Sequence, residues 1–137
     1  MHVQVYLGFN GRCEEAVRFY QSAVGAEVQL LMRHKDSPEP APPGMLPPDS
    51  GDKIMHVSLK IGDTIVMASD GLCSGQMLFE GFSLSLAVSS AEEADRAFAR
   101  LAEGGQIRMP LGKTFWSPRF GMLVDRFGIA WMVTVAT

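Results

Sequence analysis

The stretch Thr114-Phe115-Trp116-Ser117-Pro118-Arg119-Phe120-Gly121-Met122-Leu123-Val124-Asp125-Arg126-Phe127-Gly128-Ile129-Ala130-Trp131-Met132-Val133 decides how the rest of the chain is read. It holds both tryptophans and three of the eight phenylalanines. Asp125-Arg126-Phe127-Gly128 sits between the apolar runs Met122–Val124 and Ile129–Val135 and has the chemistry of a hairpin turn, with Gly128 free to take positive φ. A hairpin this apolar needs further strands and a helix to cover one face, and the preceding chain is expected to supply them.

It supplies them twice. His2 to Phe9 alternates Val3, Val5, Leu7 and Phe9 with polar or small residues, which predicts a strand. After Asn10-Gly11, carboxylates at Glu14 and Glu15 and apolar residues at Ala16, Phe19, Tyr20, Ala23 and Val24 predict a helix ending at Gly25. Glu27–Arg33 reads as a strand, and Ile61-Gly62-Asp63-Thr64 as the turn joining strands Ile54–Lys60 and Ile65–Ser69. In the second half, Phe82–Val88 is a strand. Ser89-Ser90-Ala91-Glu92-Glu93 is a helix start with a serine cap and a glutamate that reaches back, and Ala94, Ala97, Phe98 and Leu101 form its apolar stripe. Gly104-Gly105 ends that helix, and Gln106–Leu111 leads back to the opening hairpin.

Glu14-Glu15-Ala16-x-Arg18 returns as Glu92-Glu93-Ala94-x-Arg96, an offset of 78, while Leu59–Met67 overlays Val124–Met132 at an offset of 65. The 13-residue difference matches a Pro-rich insertion in the first half, where six of the eight prolines fall between Pro38 and Pro48. That loop reads either as a tolerated insertion or as a lid over a site. The chain is thus two β-α-β-β-β units, about 1–70 and 81–137, joined by a linker at about 71–80. The fold class is α+β: a curved, mostly antiparallel sheet with a concave cup and the helices on its outer face.

Composition bounds the partners. The chain has 137 residues, a formal charge of −3 and no block among its twelve basic residues, which argues against nucleic acid and for a small molecule. No stretch approaches eighteen apolar residues and no leader pattern opens the chain, so no membrane partner is expected and the cytoplasm is the default compartment. Cys13 and Cys73 lack metal or redox spacing, and a disulfide between them is not expected.

The strings Tyr6-Leu7-x-Phe9-Asn10-Gly11, Ile54-Met55-His56, Met67-Ala68-Ser69-Asp70, Trp116 with Phe120-Gly121, and Asp125-Arg126-Phe127-Gly128-Ile129-x-Trp131 resemble the PhnB-like branch of the vicinal-oxygen-chelate superfamily. That superfamily includes glyoxalase I, extradiol dioxygenases and bleomycin-resistance proteins. The resemblance implies a homodimer whose cups hold a small molecule. In metal-using members, His, Gln or Glu ligands lie on the first and fourth strands of each unit. Those positions fall here at Val5, Met67, Ser83 and Met132, a set that cannot hold the usual metals, so no metal and no cofactor are expected. A shift in register would bring in Gln4 or His2, and an unorthodox site from His56, Asp70 and Asp125 is the competing arrangement.

The candidate ligand-binding residues are His56, Met67, Ser83, Trp116, Phe120 and Met132; no catalytic residue is identifiable. For His56, a hydrogen-bonded structural role and a ligand contact both stand. The methionines either soften an apolar cup or fill core gaps. Asp125 is expected to brace its turn, and Arg126 to pair across the sheet or a subunit interface. Proteins of this branch are often labelled ubiquinone-type methyltransferases. A methyl donor normally calls for a Rossmann-like fold and a glycine-rich strand-helix turn, which this sequence lacks, so that activity is not expected. The leading function is metal-independent small-molecule binding. The alternatives are a metal-dependent glyoxalase-like enzyme (isomerase, lyase or dioxygenase) and a dimerisation module without a ligand.

Overall fold

The computed structural model describes residues 1–39, 42–71 and 77–136. Part of the Pro-rich loop, part of the linker and Cys73 therefore lie outside the described residues. The chain divides into two compact units, Met1–Met77 and Leu78–Thr137. The first contains β1 (Tyr6–Gly8), α1 (Cys13–Val24), β2 (Glu27–Arg33), two short 3-10 turns, β3 (Ile54–Ile61) and β4 (Thr64–Ser69). The second contains β5 (Leu84–Val88), α2 (Ala91–Ala102), β6 (Gln106–Gly112), β7 (Phe120–Val124) and β8 (Ala130–Val135). Each unit is an open four-stranded sheet, ordered β1-β4-β3-β2 and β5-β8-β7-β6, in which the first strand pairs parallel to the last and the other pairings are antiparallel.

In both units the helix covers one face of the sheet. The α1 stripe Cys13, Ala16, Val17, Tyr20 and Ala23 is buried, as are Leu7, Phe9, Val57, Leu59, Val66 and Ala68 on the strands. In the second unit Ala94, Ala97, Phe98 and Leu101 of α2 are buried together with Val88, Leu123, Trp131, Val133 and Val135. Gly121 permits this contact, since a Cβ there would come within 2.8 Å of the Phe98 ring and 3.0 Å of the Met109 carbonyl oxygen. The alternate residues of every strand form a second face that the helices leave uncovered.

Local chemistry explains the helix ends. Ser90 Oγ accepts from Glu93 N at 3.1 Å, while the Glu93 carboxylate accepts from Ser89 N, one residue earlier than in a standard capping box. Nothing beside α1 caps it through a side chain; its first N–H, from Cys13, instead donates at 2.8 Å to Asp70, the residue just after β4. Gly25 takes φ 68° beyond the last turn of α1, as its position suggested.

Two expectations need correction. The first strand is only three residues long, and Val3 and Val5 are exposed. Its ladder to β4 reaches back no further than the Val5 carbonyl, which accepts from Met67 N, so the apolar alternation that begins at Val3 is buried only at Leu7 and Phe9. The repeat offsets also vary by one residue along the unit. Tyr6 pairs with Met67 and Ser85 with Met132, so the first strands are offset by 79 although the helices are offset by 78. The β3–β4 turn has two residues and the β7–β8 turn five, so Leu59 corresponds to Leu123 rather than to Val124.

Candidate functional site

The uncovered face of the second sheet forms the floor of an open cleft of about 560 Å³. Met122, Val124, Ala130 and Met132 make an apolar floor, because each lies on the face opposite buried Leu123, Trp131 and Val133. The segment 79–83 makes a wall, with the Phe79 and Phe82 rings edge to face at 6.3 Å. Glu80 and Arg108 are the charged residues among the lining.

Ser83 and Met132 meet in this cleft. Trp116 and Phe120 do not line it. Their rings meet edge to face at 5.3 Å, as do Phe115 and Trp116 at 4.7 Å, beside the stretch of β7 that pairs with Thr134. Trp116 is held there by a tight loop in which Thr114 N donates to the Ser117 carbonyl; buried Ser117 Oγ donates to the Val135 carbonyl and receives a bond from Thr134 Oγ1.

In the first unit, His56 and Met67 lie on the uncovered face with Tyr6 and Ser58. Tyr6 Oη is 3.3 Å from His56 Nδ1, and His56 Nε2 is 3.2 Å from Ser58 Oγ, so both imidazole nitrogens have partners. Met32, the cross-strand partner of His56, adds apolar surface beside it.

The register shows which residues occupy the first-strand and last-strand positions. Val5 has the parity of buried Leu7, so it belongs to the helix side of the sheet; the β1 residue beside Met67 on the uncovered face is Tyr6. The corresponding pair in the second unit is Ser85 with Met132, and Ser83 is two residues before the former. Tyr6, Met67, Ser85 and Met132 offer no imidazole or carboxylate, so they do not fit the metals that give the superfamily its name.

The competing donors are engaged elsewhere. Asp70, 1% exposed, accepts from Cys13 N through one oxygen and from Ile54 N at 2.7 Å through the other. Asp125 accepts from Phe127 N, Ile129 N and Trp131 Nε1. Among the described residues no group of three His, Cys, Asp or Glu side chains is placed to hold a metal ion.

Arg126 does something the sequence did not indicate: its Nε donates to the Glu103 carbonyl at the end of α2, where a cation suits the helix dipole. Cys13, the first residue of α1, is buried, and burial, followed by the charges of Asp70 and Glu14, pushes its thiol up to about 12. It is therefore a core residue, without the thiolate a nucleophile or metal ligand needs.

Tyr6, Ser58, Phe79, Phe82, Arg108 and Met122 are site-face residues that sequence reasoning did not select. The usable signal for Tyr6 was the burial of Leu7, which sends its neighbour to the other face. Arg108 was hidden by a bulge in β6, where the ladder shifts register between Ile107 and Met109.

Comparison with known proteins agrees with this architecture. Residues 2–134 match the family model described as 3-demethylubiquinone-9 3-methyltransferase. Protein YjdN of Escherichia coli K12 is 37% identical, the match covering 98% of this chain and 95% of that protein. Among solved structures, protein PA1353 from Pseudomonas aeruginosa is 44% identical with a TM-score of 0.84, covering 99% of this chain and 98% of that one. A Bacillus cereus protein described as a putative 3-demethylubiquinone-9 3-methyltransferase, PhnB protein, is 29% identical with a TM-score of 0.80, covering 99% and 100%. The fold alone extends to a glyoxylase/bleomycin resistance protein/dioxygenase domain from Frankia, 18% identical with a TM-score of 0.63 over 99% of this chain and 95% of that domain. With two βαβββ units and this match over nearly its whole length, the chain belongs to the PhnB-like, 3-demethylubiquinone-9 3-methyltransferase-like family.

Proposed function

We propose that the chain is a metal-independent small-molecule binding protein, with Met132 and Ser83 in the open cleft of its second unit and His56, Met67, Trp116 and Phe120 as further ligand contacts. The observation that carries this reading is the open cleft of about 560 Å³ on the second sheet, floored by Met122 of β7 and Met132 of β8. Thioether side chains give a soft apolar surface that adapts to ring systems and holds hard cations poorly.

The methyl transfer named in the family description is a weaker reading for this chain. In each unit the parallel pair consists of the first and last strands, without the strand, glycine-rich turn and helix that cradle a dinucleotide-like donor. A metal-dependent glyoxalase-like reaction is weakened by the engagement of both Asp70 oxygens with backbone N–H groups.

A homodimer is part of the proposal. It is supported by apolar side chains left exposed on the last strands of each sheet's order, Val28 and Leu30 on β2 and Ile107 and Met109 on β6, which suit burial against another surface. A cytoplasmic location is likewise proposed; among the described residues no helix is long and apolar enough to cross a membrane.

Titration with the uncharged fluorophore N-phenyl-1-naphthylamine in the presence of EDTA tests the reading. Saturable binding at one site per chain is expected, and Met132→Glu or Met122→Glu should abolish it while circular dichroism stays unchanged. Absence of saturable binding, or binding indifferent to both substitutions, contradicts it.

A further inference from the structure

We infer that the cleft of the second unit takes a flat aromatic or conjugated molecule carrying a single negative charge, anchored by Arg108. The inference rests on the small-molecule reading above and adds the class of ligand.

Three observations lead to it. In β6, Ile107 pairs with Leu123 and Met109 with Met122, so Arg108 is the extra residue of a bulge. A bulge re-aims the side chain it releases, and Arg108 accordingly joins the lining of the cleft. The first unit carries the same bulge: Val28 pairs with Leu59 and Leu30 with Ser58, leaving Gln29 in the equivalent place. The backbone device is therefore duplicated, and the positive charge is particular to the second unit.

Arg108 is exposed, and among the described residues no carboxylate pairs with it, whereas Arg12, Arg18, Arg33 and Arg119 each have an acidic partner. A planar guanidinium left unpaired at the edge of an apolar floor suits a carboxylate or sulfonate, which it can grip with two hydrogen bonds. The Phe79 and Phe82 rings, edge to face at 6.3 Å, and the Met122 and Met132 thioethers offer surface to a ring on either side. Glu80 is the other charged residue in the lining and is not paired to Arg108. Its negative charge disfavours multiply charged ligands, which selects a monoanion.

The test uses two probes with the same ring system, 8-anilinonaphthalene-1-sulfonate and uncharged N-phenyl-1-naphthylamine. Arg108→Gln installs the residue that the first unit holds in its own bulge, so the fold should tolerate it. The sulfonate should bind about tenfold more weakly to this variant, the loss of one charge-assisted contact, and the neutral probe within about twofold of wild type. Arg96→Gln, an equal change in net charge on the exposed side of α2, should leave the sulfonate affinity unchanged, and Glu80→Gln should raise it. If the neutral probe binds but the sulfonate ignores Arg108→Gln, or loses as much with Arg96→Gln, the anion inference falls and the cleft reading stands. If neither probe binds wild-type protein, both fall.

Discussion

Trp131 Nε1 donates to Asp125 Oδ2 at 2.9 Å, tying the last strand to the turn that launches it. The other oxygen of Asp125 accepts from Phe127 N at 2.9 Å and Ile129 N at 3.1 Å, and Gly128 closes the turn at φ 93°. Asp125 is 3% exposed, so its removal strands three donors away from water. Asp125→Ala should cost about 4 kcal/mol and Trp131→Phe about 1–2 kcal/mol, measured by urea unfolding. A loss below about 1 kcal/mol for Asp125→Ala is incompatible with this role.

Cys13 should be chemically silent in the native state. With its thiol pushed up to about 12 by burial and by Asp70 and Glu14, only about one molecule in ten thousand carries a thiolate at pH 8. In a Cys73→Ser variant, a thiol reagent at pH 8 should label nothing until the protein is unfolded, and then one site. Rapid native labelling contradicts the packing of α1 against its sheet.

The Arg33 guanidinium, hydrogen-bonded to Glu14 at 2.8 Å, holds that carboxyl below its ordinary 4.5. A depressed carboxylate stabilises the folded state above its ordinary pKa, and this contribution fades as pH falls through the folded value. Glu14→Gln should therefore lower the urea midpoint slightly at pH 7 and flatten its decline below pH 4.5. Both partners are partly exposed, so the effect is small and shrinks in salt. Parallel pH profiles for variant and wild type are the contrary result.

How much of this was legible depends on the range of the interaction. The α2 cap and stripe, the Gly25 stop and the Gly128 turn follow from residues a few positions apart, and all were readable. The duplication was readable too, because Glu14-Glu15-Ala16 and Glu92-Glu93-Ala94 occupy the same helical positions. What could not be read was single-residue register. Counting back from the helix placed Val5, instead of Tyr6, beside Met67 and Ser83, instead of Ser85, beside Met132, because no residue pattern marks how far the connecting loop runs before the ladder begins. Asp70 looked like a metal candidate because its partners, Cys13 N and Ile54 N, are backbone groups that no sequence pattern marks. Arg108 was missed because a bulge overrides strict alternation.

Metal analysis of protein purified from metal-supplemented medium without chelators separates a metal-free cleft from a metal centre. The expected result is no stoichiometric metal, and probe binding in the Met122/Met132 cleft that is the same with and without EDTA. One tightly bound metal per chain, lost in His56→Ala, would contradict it.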